Sequence, residues 1–309
     1  MTLRVAVVGV GHLGQHHARL FAGMAGVDLV GITDINAERV RAIAAQYGIA
    51  PVIDVRELLG RVDAVTIAVP TSSHLDVALP FLERGIAVLI EKPIAATLAE
   101  ADQLVETADR HGATLAVGHT ERFNPAVTAA LPLIHNPRFI EAQRIGPFPQ
   151  RSLDIDVVSD LMIHDLDLLL AVVGPEVRSV EAVGAAVLTP KTDIANARIR
   201  FASGCIANLT ASRISRERVR RIRFFQHDAC VSIDYAAREV EVHRLVHGDA
   251  GPLIQVDRLD VADGEPLRLE LEDFVDAVRT RRAPRVTGRA GRDALALAAT
   301  VSDHVLQGI

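Results

Sequence analysis

Residues 4–34 constrain this chain more than any other stretch. An apolar run, Arg4–Val8, closes on Gly9-x-Gly11-x-x-Gly14. A helical stretch follows, then a second apolar run, Leu29–Thr33, which ends at Asp34. Runs with no charge inside them predict strands of a buried parallel sheet. In such a turn the first glycine permits the tight bend, the second lets a pyrophosphate approach the backbone, and the third lets helix pack on strand. The helix that follows should point its free N–H groups at the phosphates. A carboxylate at Asp34 accepts hydrogen bonds from a ribose 2′-OH and repels a 2′-phosphate, so NAD is expected in preference to NADP. A βα turn with no ligand is the alternative reading.

Composition narrows the class. A length of 309 residues suggests two domains. Hydrophobic residues make up 49% and aromatic residues 4%, with no Trp, so the cores are built from Ala, Val, Leu and Ile. The net charge of −6 argues against a nucleic-acid partner, which needs a basic face. Cys205 and Cys230 lack C-x-x-C spacing, which argues against a zinc site, and two cysteines in so long a chain do not make a disulfide scaffold. No metal is expected. The N-terminus shows no signal pattern, and no apolar run approaches the roughly 18 residues that span a bilayer. The expectation is a soluble cytoplasmic protein without a membrane partner.

Strand and helix signals alternate up to about residue 120. Arg4–Val8, Leu29–Thr33, Ala64–Val69, Ala87–Ile90 and Thr114–Val117 predict strands; Gln15–Met24, Ala37–Tyr47, His74–Arg84 and Leu98–His111 predict the helices between them. That rhythm predicts an α/β protein with a doubly wound parallel sheet and right-handed crossovers. Gly48, Gly85 and Gly112 stand where helix C-terminal caps belong. Ligands of such sheets bind outside the carboxyl ends of the strands. Chemistry is therefore expected at Gly9–Gly14, Asp34, Pro70–His74, Glu91–Pro93 and Gly118–Pro125. Past residue 125 a helix, Val158–Val173, precedes short strands at Val177–Val187, Ile194–Phe201, Cys205–Ala211, Val219–Gln226, Cys230–Asp234 and Glu239–Arg244. These predict a second, more antiparallel domain. A helix at Glu270–Thr280 follows. The expected division is a dinucleotide-binding domain at 1–120, completed by a C-terminal helix at 289–306 that packs back on it, and a second domain for substrate binding and oligomerisation at 121–288.

Lys92 follows an apolar run directly, in Glu91-Lys92-Pro93. An ammonium at a strand's carboxyl end can hydrogen-bond a substrate hydroxyl and stabilise developing alkoxide charge. A snorkelling surface lysine beside a turn proline is the alternative. On a helix, Asp160, His164 and Asp167 fall at i, i+4 and i+7 and share one face. A carboxylate one turn before an imidazole orients its tautomer and raises its basicity, and alcohol oxidation needs such a base. Acids favoured at a helix N-terminus, or a metal site, are the alternatives. Pro70-Thr71-Ser72-Ser73-His74 offers cofactor contacts or plain capping. Arg122 and Asn124, in Glu121-Arg-Phe-Asn-Pro125, face substrate or form an interdomain turn. Arg213, Arg216, Arg218, Arg220, Arg221 and Arg223 suit a diphosphate, a solvated strand face or a subunit interface.

With these residues in view, the chain resembles the glucose–fructose oxidoreductase/inositol dehydrogenase (Gfo/Idh/MocA) family. Gly9-x-Gly11-x-x-Gly14-x-x-His17 resembles its nucleotide loop, Glu91-Lys92-Pro93 its E-K-P motif, and Asp160-x-x-x-His164 its D-x-x-x-H pair. The resemblance implies an N-terminal Rossmann domain joined to a C-terminal α/β domain with an open mixed, largely antiparallel sheet. That sheet often forms the oligomer interface, so a homodimer or homotetramer is expected. It also implies roles: Lys92 on the reacting hydroxyl, His164 as proton acceptor, Asp160 as its partner. The cofactor set is then Gly9, Gly11, His12, Leu13, Gly14, Asp34, Pro70, Thr71, His74 and Glu91, and Arg122 and Asn124 join Lys92 and His164 on substrate. Within the family, Glu121–Pro125, Leu161–Asp167 and Ala211–Ser215 look most similar to UDP-N-acetylglucosamine 3-dehydrogenases. The expected activity is NAD-dependent oxidation of a secondary sugar hydroxyl, with the C3 hydroxyl of UDP-N-acetylglucosamine as the foremost candidate. Inositol or another polyol or sugar, a non-sugar carbonyl or imine, and a non-catalytic dinucleotide sensor remain as rivals.

Overall fold

The computed structural model describes residues 2–148, 155–248 and 251–307. The chain divides into two compact units, Met1–Thr120 with Leu267–Arg292, and Glu121–Pro266 with Asp293–Ile309.

In the first unit β1 (Leu3–Val8), β2 (Val27–Thr33), β3 (Ala64–Ile67), β4 (Ala87–Glu91) and β5 (Leu115–Gly118) form a sheet in the order β2-β1-β3-β4-β5, parallel at every pairing. The intervening helices are α1 (Gly14–Ala22), α2 (Ala37–Tyr47), α3 (His74–Leu82) and α4 (Leu98–His111). Side chains alternate across a strand. Val5, Val7 and Leu89 pack in one cluster with Ala18 and Phe21 of α1 and Val40 and Ala44 of α2. Their neighbours Ala6, Val8, Val65, Ile67, Val88 and Ile90 are buried as well. Burial on both faces is why these strands read as continuous apolar runs. Asn36 caps α2 and Thr97 caps α4, the latter in a reciprocal capping box with Glu100. Beyond β2 the sheet continues only as a single parallel bridge from Ile32 to Pro51 among the described residues.

The second unit is built on eight strands: β6 (Phe139–Ile145), β7 (Val177–Ala185), β8 (Ile194–Phe201), β9 (Ile206–Ser212), β10 (Val219–Phe225), β11 (Ala229–Asp234), β12 (Glu239–Gly248) and β13 (Gly251–Arg258). Their order is β13-β12-β11-β10-β6-β9-β8-β7. The β6–β9 pairing is parallel and the others antiparallel. One face packs Ile199, Leu209, Ile222 and Val242 against α5 (Pro125–Ala130) and α6 (Ile163–Val173). The opposite face leaves Val183, Leu245, Ile254 and Val256 exposed.

The expected α/β class holds, with a parallel first sheet and a mixed, mostly antiparallel second one. Three elements were not anticipated: α5, β6 and β13. The strand β6 lies at the middle of its sheet, yet its inward side carries Arg144, which hides the apolar alternation. The expected placement of the last helix needs correction. The first unit is completed by α7 (Pro266–Thr280), which contributes Leu271, Phe274 and Val275 to the core of the first sheet. The last helix, α8 (Gly288–Gln307), keeps only its first residues there; Ala294, Leu297, Ala298, Val301 and Val305 pack in the second unit's core. The expected helix Val158–Val173 also differs. It opens as a π turn, Val158–Met162, and becomes α-helical at Ile163.

Candidate functional site

Strand β1 ends at Val8, and Gly9 turns the chain at φ +85°, a conformation that side chains disfavour. A Cβ on Gly14 would lie 1.7 Å from the Gly9 carbonyl oxygen, so this position admits glycine alone. A Cβ on Gly11 would meet nothing within 4 Å, which leaves the loop open on that side. The α1 N-terminus at Leu13 has no side-chain cap and no acid in its first turn, whereas α2 and α4 have both. A helix start left uncapped in this way presents its first N–H groups to an anion. These features fit a dinucleotide's pyrophosphate. His12 and His16 flank the loop with ring centroids 5.7 Å apart.

Asp34, at the end of β2, is fixed by its own backbone surroundings. Its Oδ2 accepts from the Val10 N–H at 2.9 Å and its Oδ1 from the Asn36 N–H at 2.9 Å. The carboxylate is thus pinned beside the glycine loop, as an acceptor for a ribose hydroxyl should be. Arg39 Nη1 lies 3.4 Å from Oδ2.

Lys92, partly buried, follows β4 in a cis Lys92–Pro93 turn. The residues around it are held from two sides. His17 Nε2 lies 3.0 Å from Glu91 Oε1, and both side chains are buried. His74 Nδ1 lies 3.0 Å from the Pro93 carbonyl oxygen and 3.2 Å from that of Ile94, and its Nε2 lies 3.1 Å from that of Val69. Burial holds the His74 imidazole below its ordinary pKa, outweighing the carbonyls that favour the protonated ring. His74 and Glu91 were expected to contact the cofactor. In the structure the His74 ring nitrogens face backbone carbonyls in the protein's interior, and the Glu91 carboxylate lies against His17. No side chain caps α3, so the capping alternative offered for Pro70–His74 is not seen at that helix.

In the second unit, the spacing of Asp160, His164 and Asp167 was read as one α-helical face. Asp160 instead lies on the π turn and His164 in the first turn of α6. A π turn closes hydrogen bonds at i→i+5, so four residues there make less than one full turn. Asp156 anchors the start by accepting from the Ser159 N–H at 2.8 Å and its hydroxyl at 3.2 Å. Met162, Ile163, Leu166 and Leu169 are fully buried, which fixes the orientation of α6 while His164 stays partly exposed.

Behind α6 lies a buried charge network that sequence reasoning missed. Arg144 donates to Asp165 from Nε at 2.9 Å and Nη2 at 3.0 Å, and to Glu121 from Nη1 at 2.9 Å. Burial alone would lower the guanidinium pKa, but Asp165 and Glu121 outweigh it and hold it above the ordinary range. The Tyr235 hydroxyl donates to Asp165 at 3.2 Å, and burial beside that carboxylate raises the phenol's pKa. Arg122 Nη1 lies 3.5 Å from Asp167 Oδ1. Asn124 was offered as a substrate-facing residue. Its Oδ1 accepts from the Ala126 N–H, and its Nδ2 donates to Glu121 and to the Tyr235 carbonyl. It caps α5 and is buried, in line with the alternative reading of this segment as a turn.

Three arginines of the run, Arg213, Arg221 and Arg223, face carboxylates. Arg213 is fully buried, 2.8 Å from Asp193 and 2.9 Å from the Ile155 carbonyl, and so is not a surface cation for a diphosphate. Arg221 lies 3.9 Å from Asp234, and Arg223 pairs with Glu141. Arg220 stands opposite Arg144 in register; burial and that neighbour lower its pKa. Among the described residues no cluster of three His, Cys, Asp or Glu could hold a metal ion, and no helix is long and apolar enough to cross a membrane.

Comparisons with known proteins match both units. A model of an oxidoreductase family with an NAD-binding Rossmann fold covers residues 3–119, and a GFO/IDH/MocA C-terminal domain model covers residues 138–230. The chain is 41% identical to UDP-N-acetylglucosamine 3-dehydrogenase of Acidithiobacillus ferrooxidans, across 97% of this chain and 96% of that protein. It is 28% identical to scyllo-inositol 2-dehydrogenase (NAD(+)) of Bacillus subtilis, across 92% and 89% respectively. A solved structure of the Acidithiobacillus ferrooxidans enzyme, GnnA, superposes with a TM-score of 0.93 at 40% identity, covering 99% of this chain and 98% of that one.

Proposed function

Because the chain belongs to the Gfo/Idh/MocA oxidoreductase family, we propose that it oxidises the C3 hydroxyl of UDP-N-acetylglucosamine to a ketone with NAD. One observation carries the substrate: 41% identity to a UDP-N-acetylglucosamine 3-dehydrogenase across both units, against 28% to the inositol enzyme.

Gly9, Gly11, His12, Leu13 and Gly14 hold the pyrophosphate with backbone N–H groups of the loop and of α1. Asp34 accepts from the adenosine ribose, and Pro70 and Thr71 line the neighbouring strand end. The choice of NAD over NADP is supported by the carboxylate pinned beside Val10. When bound, the nicotinamide ring supplies the acceptor for the hydride leaving C3. Lys92 donates a hydrogen bond to the reacting hydroxyl and stabilises the charge that builds on its oxygen. His164 takes the hydroxyl proton, and Asp160 orients the imidazole. Arg122 contributes to substrate binding near α6. General acid–base help of this kind supplies about 10²–10⁴-fold.

The exposed apolar residues on the open sheet face support a homodimer or homotetramer formed through the second unit. A nucleotide-sugar substrate and two free cysteines support a cytoplasmic site of action.

The test is direct. Purified protein with NAD and UDP-N-acetylglucosamine should generate reduced-nicotinamide absorbance, and inositol and free N-acetylglucosamine should not. Lys92→Ala and His164→Ala should each lower kcat by about 10²-fold or more while NAD still binds. Turnover of inositol but not of the nucleotide sugar would overturn the substrate; near-normal turnover in both variants would overturn the roles.

A further inference from the structure

Two buried histidines of the first unit have no part in the reaction described above, and both grip residues adjoining Lys92. His17, on the face of α1 that packs against the sheet, meets the carboxylate of Glu91, the residue before Lys92, at 3.0 Å. That carboxylate is enclosed further by β5: a Cβ on Gly118 would stand 3.0 Å from Glu91 Oε2. His74, at the start of α3, meets the carbonyl oxygens of Pro93 and Ile94, the two residues after Lys92, at 3.0 and 3.2 Å. Its other nitrogen meets the Val69 carbonyl, in the turn after β3, at 3.1 Å. A neutral imidazole carries one N–H, so it donates either to the Pro93/Ile94 pair or to Val69, while the imidazolium donates to both. With its one N–H on Nδ1 the neutral ring ties down the Pro93/Ile94 turn; only the imidazolium bridges both strand-end turns.

We propose that His17 and His74 are positioning residues that clamp the backbone on either side of Lys92 and so fix where its ammonium reaches. This rests on Lys92 acting on the substrate hydroxyl. The argument is one of geometry and freedom. A lysine side chain carries large rotamer freedom, and the place its amine can occupy is set first by the backbone that bears it. Here Glu91, Ile94 and Ala95 are buried while Lys92 is only partly so. The flanking residues are thus anchored in the interior. A misplacement of about 1 Å at a reacting group lowers turnover by about 10²-fold. An anchor made of directed polar contacts controls that scale better than apolar packing alone, because hydrogen bonds weaken steeply with angle.

The test uses the full-length protein with His17→Phe and His74→Phe, which fill the same space without polar atoms. His17→Gln and His74→Gln, which retain an N–H donor, serve as conservative partners. Three quantities are read: hydrogen–deuterium exchange of peptides covering 92–97, the NAD dissociation constant, and kcat with KM for UDP-N-acetylglucosamine. The Phe variants are expected to exchange faster at 92–97 and to lose about 10–100-fold in kcat, with KM and NAD affinity close to wild type; the Gln variants should fall between. Exchange at 92–97 reads the clamp without substrate, whereas absent turnover in the wild-type protein speaks against the reaction alone. Phe variants that fold, bind NAD and keep wild-type exchange and kcat overturn the proposal. Should the Phe variants fail to fold, unchanged exchange and kcat in both Gln variants overturn it equally.

Discussion

Replacing Arg144 by Met isolates the buried charge network of the second unit. The methionine keeps an unbranched stem in the same space but removes three charge-assisted hydrogen bonds, two to Asp165 and one to Glu121. It also removes a guanidinium lying 4.9 Å from the Tyr235 ring centroid. The Asp165 side chain is 4% exposed, so its charge has little recourse to water. With Arg144 gone, the Tyr235 hydroxyl at 3.2 Å still donates to it. Three hydrogen bonds to charged groups at about 1.5–3 kcal/mol each sum to roughly 4.5–9 kcal/mol. That sum is an upper figure, because a stranded carboxyl takes up a proton and the site relaxes. Removing one partner of a buried pair is known to destabilise by about 3–5 kcal/mol, and that is the expected loss. For a domain of about 150–250 residues, at 2–4 °C per kcal/mol, the midpoint falls by roughly 6–20 °C. A chain of two units need not unfold in one step. The assay is therefore urea unfolding followed by exchange of peptides from β6, α6 and β10, which reports the second unit alone. The double variant Arg144→Met/Asp165→Leu, which leaves one carboxylate fewer stranded, should recover at least half of the loss. A loss below about 1 kcal/mol, the scale of an exposed ion pair, would refute the reasoning.

Gly14→Ala should abolish tight NAD binding, by about 10²-fold or more in dissociation constant, because its Cβ would stand 1.7 Å from the Gly9 carbonyl oxygen and must displace the loop; calorimetric titration giving a wild-type constant would refute this. Burial would raise the pKa of Asp193, yet the N–H groups of Leu188, Thr189 and Val187 and the Arg213 side chain overcome it and hold the carboxyl well below the ordinary range. The unfolded chain then binds more protons than the folded one, so this contribution is present above about pH 4 and is lost as pH falls further. The acid limb of the stability–pH profile should be flatter for Asp193→Asn than for wild type; parallel limbs would count against the assignment.

The first unit was readable because both faces of its strands are covered, which writes each strand as an uninterrupted apolar run. Its turn glycines answer to steric demands that no other residue meets, as Gly9 and Gly14 show. The second unit was less readable for physical reasons. Its central strand β6 places Arg144 inward, and a charge at a core position is legible only through its partners, Glu121 and Asp165, which lie elsewhere in the chain. Arg213 posed the same problem: a guanidinium read with its neighbours as a diphosphate site, a solvated strand face or a subunit interface is buried against Asp193 and a backbone carbonyl. Periodicity identified α7 and α8 as amphipathic but carries no information on which core each apolar stripe covers. Nor does spacing reveal a shift in hydrogen-bond pattern, which is how the π turn under Asp160 escaped notice. The histidines at 17 and 74 were visible as parts of motifs, yet their direction, inward rather than toward a ligand, follows only from the packing of α1 and α3.

The margin of the parallel sheet at Pro51 has a further consequence. An open border of amide and carbonyl groups recruits foreign chains, and long unprotected borders lead to fibres. Beside β2 the described residues present a single bridging residue, Pro51, that has no amide hydrogen to give, and Ile53 two positions on stands more than half exposed. A stray segment aligning there would find an oily neighbour but a broken ladder. The molecule thus carries, in one imino acid at its rim, a safeguard against self-templated growth that leaves the dinucleotide end of the same sheet unaltered.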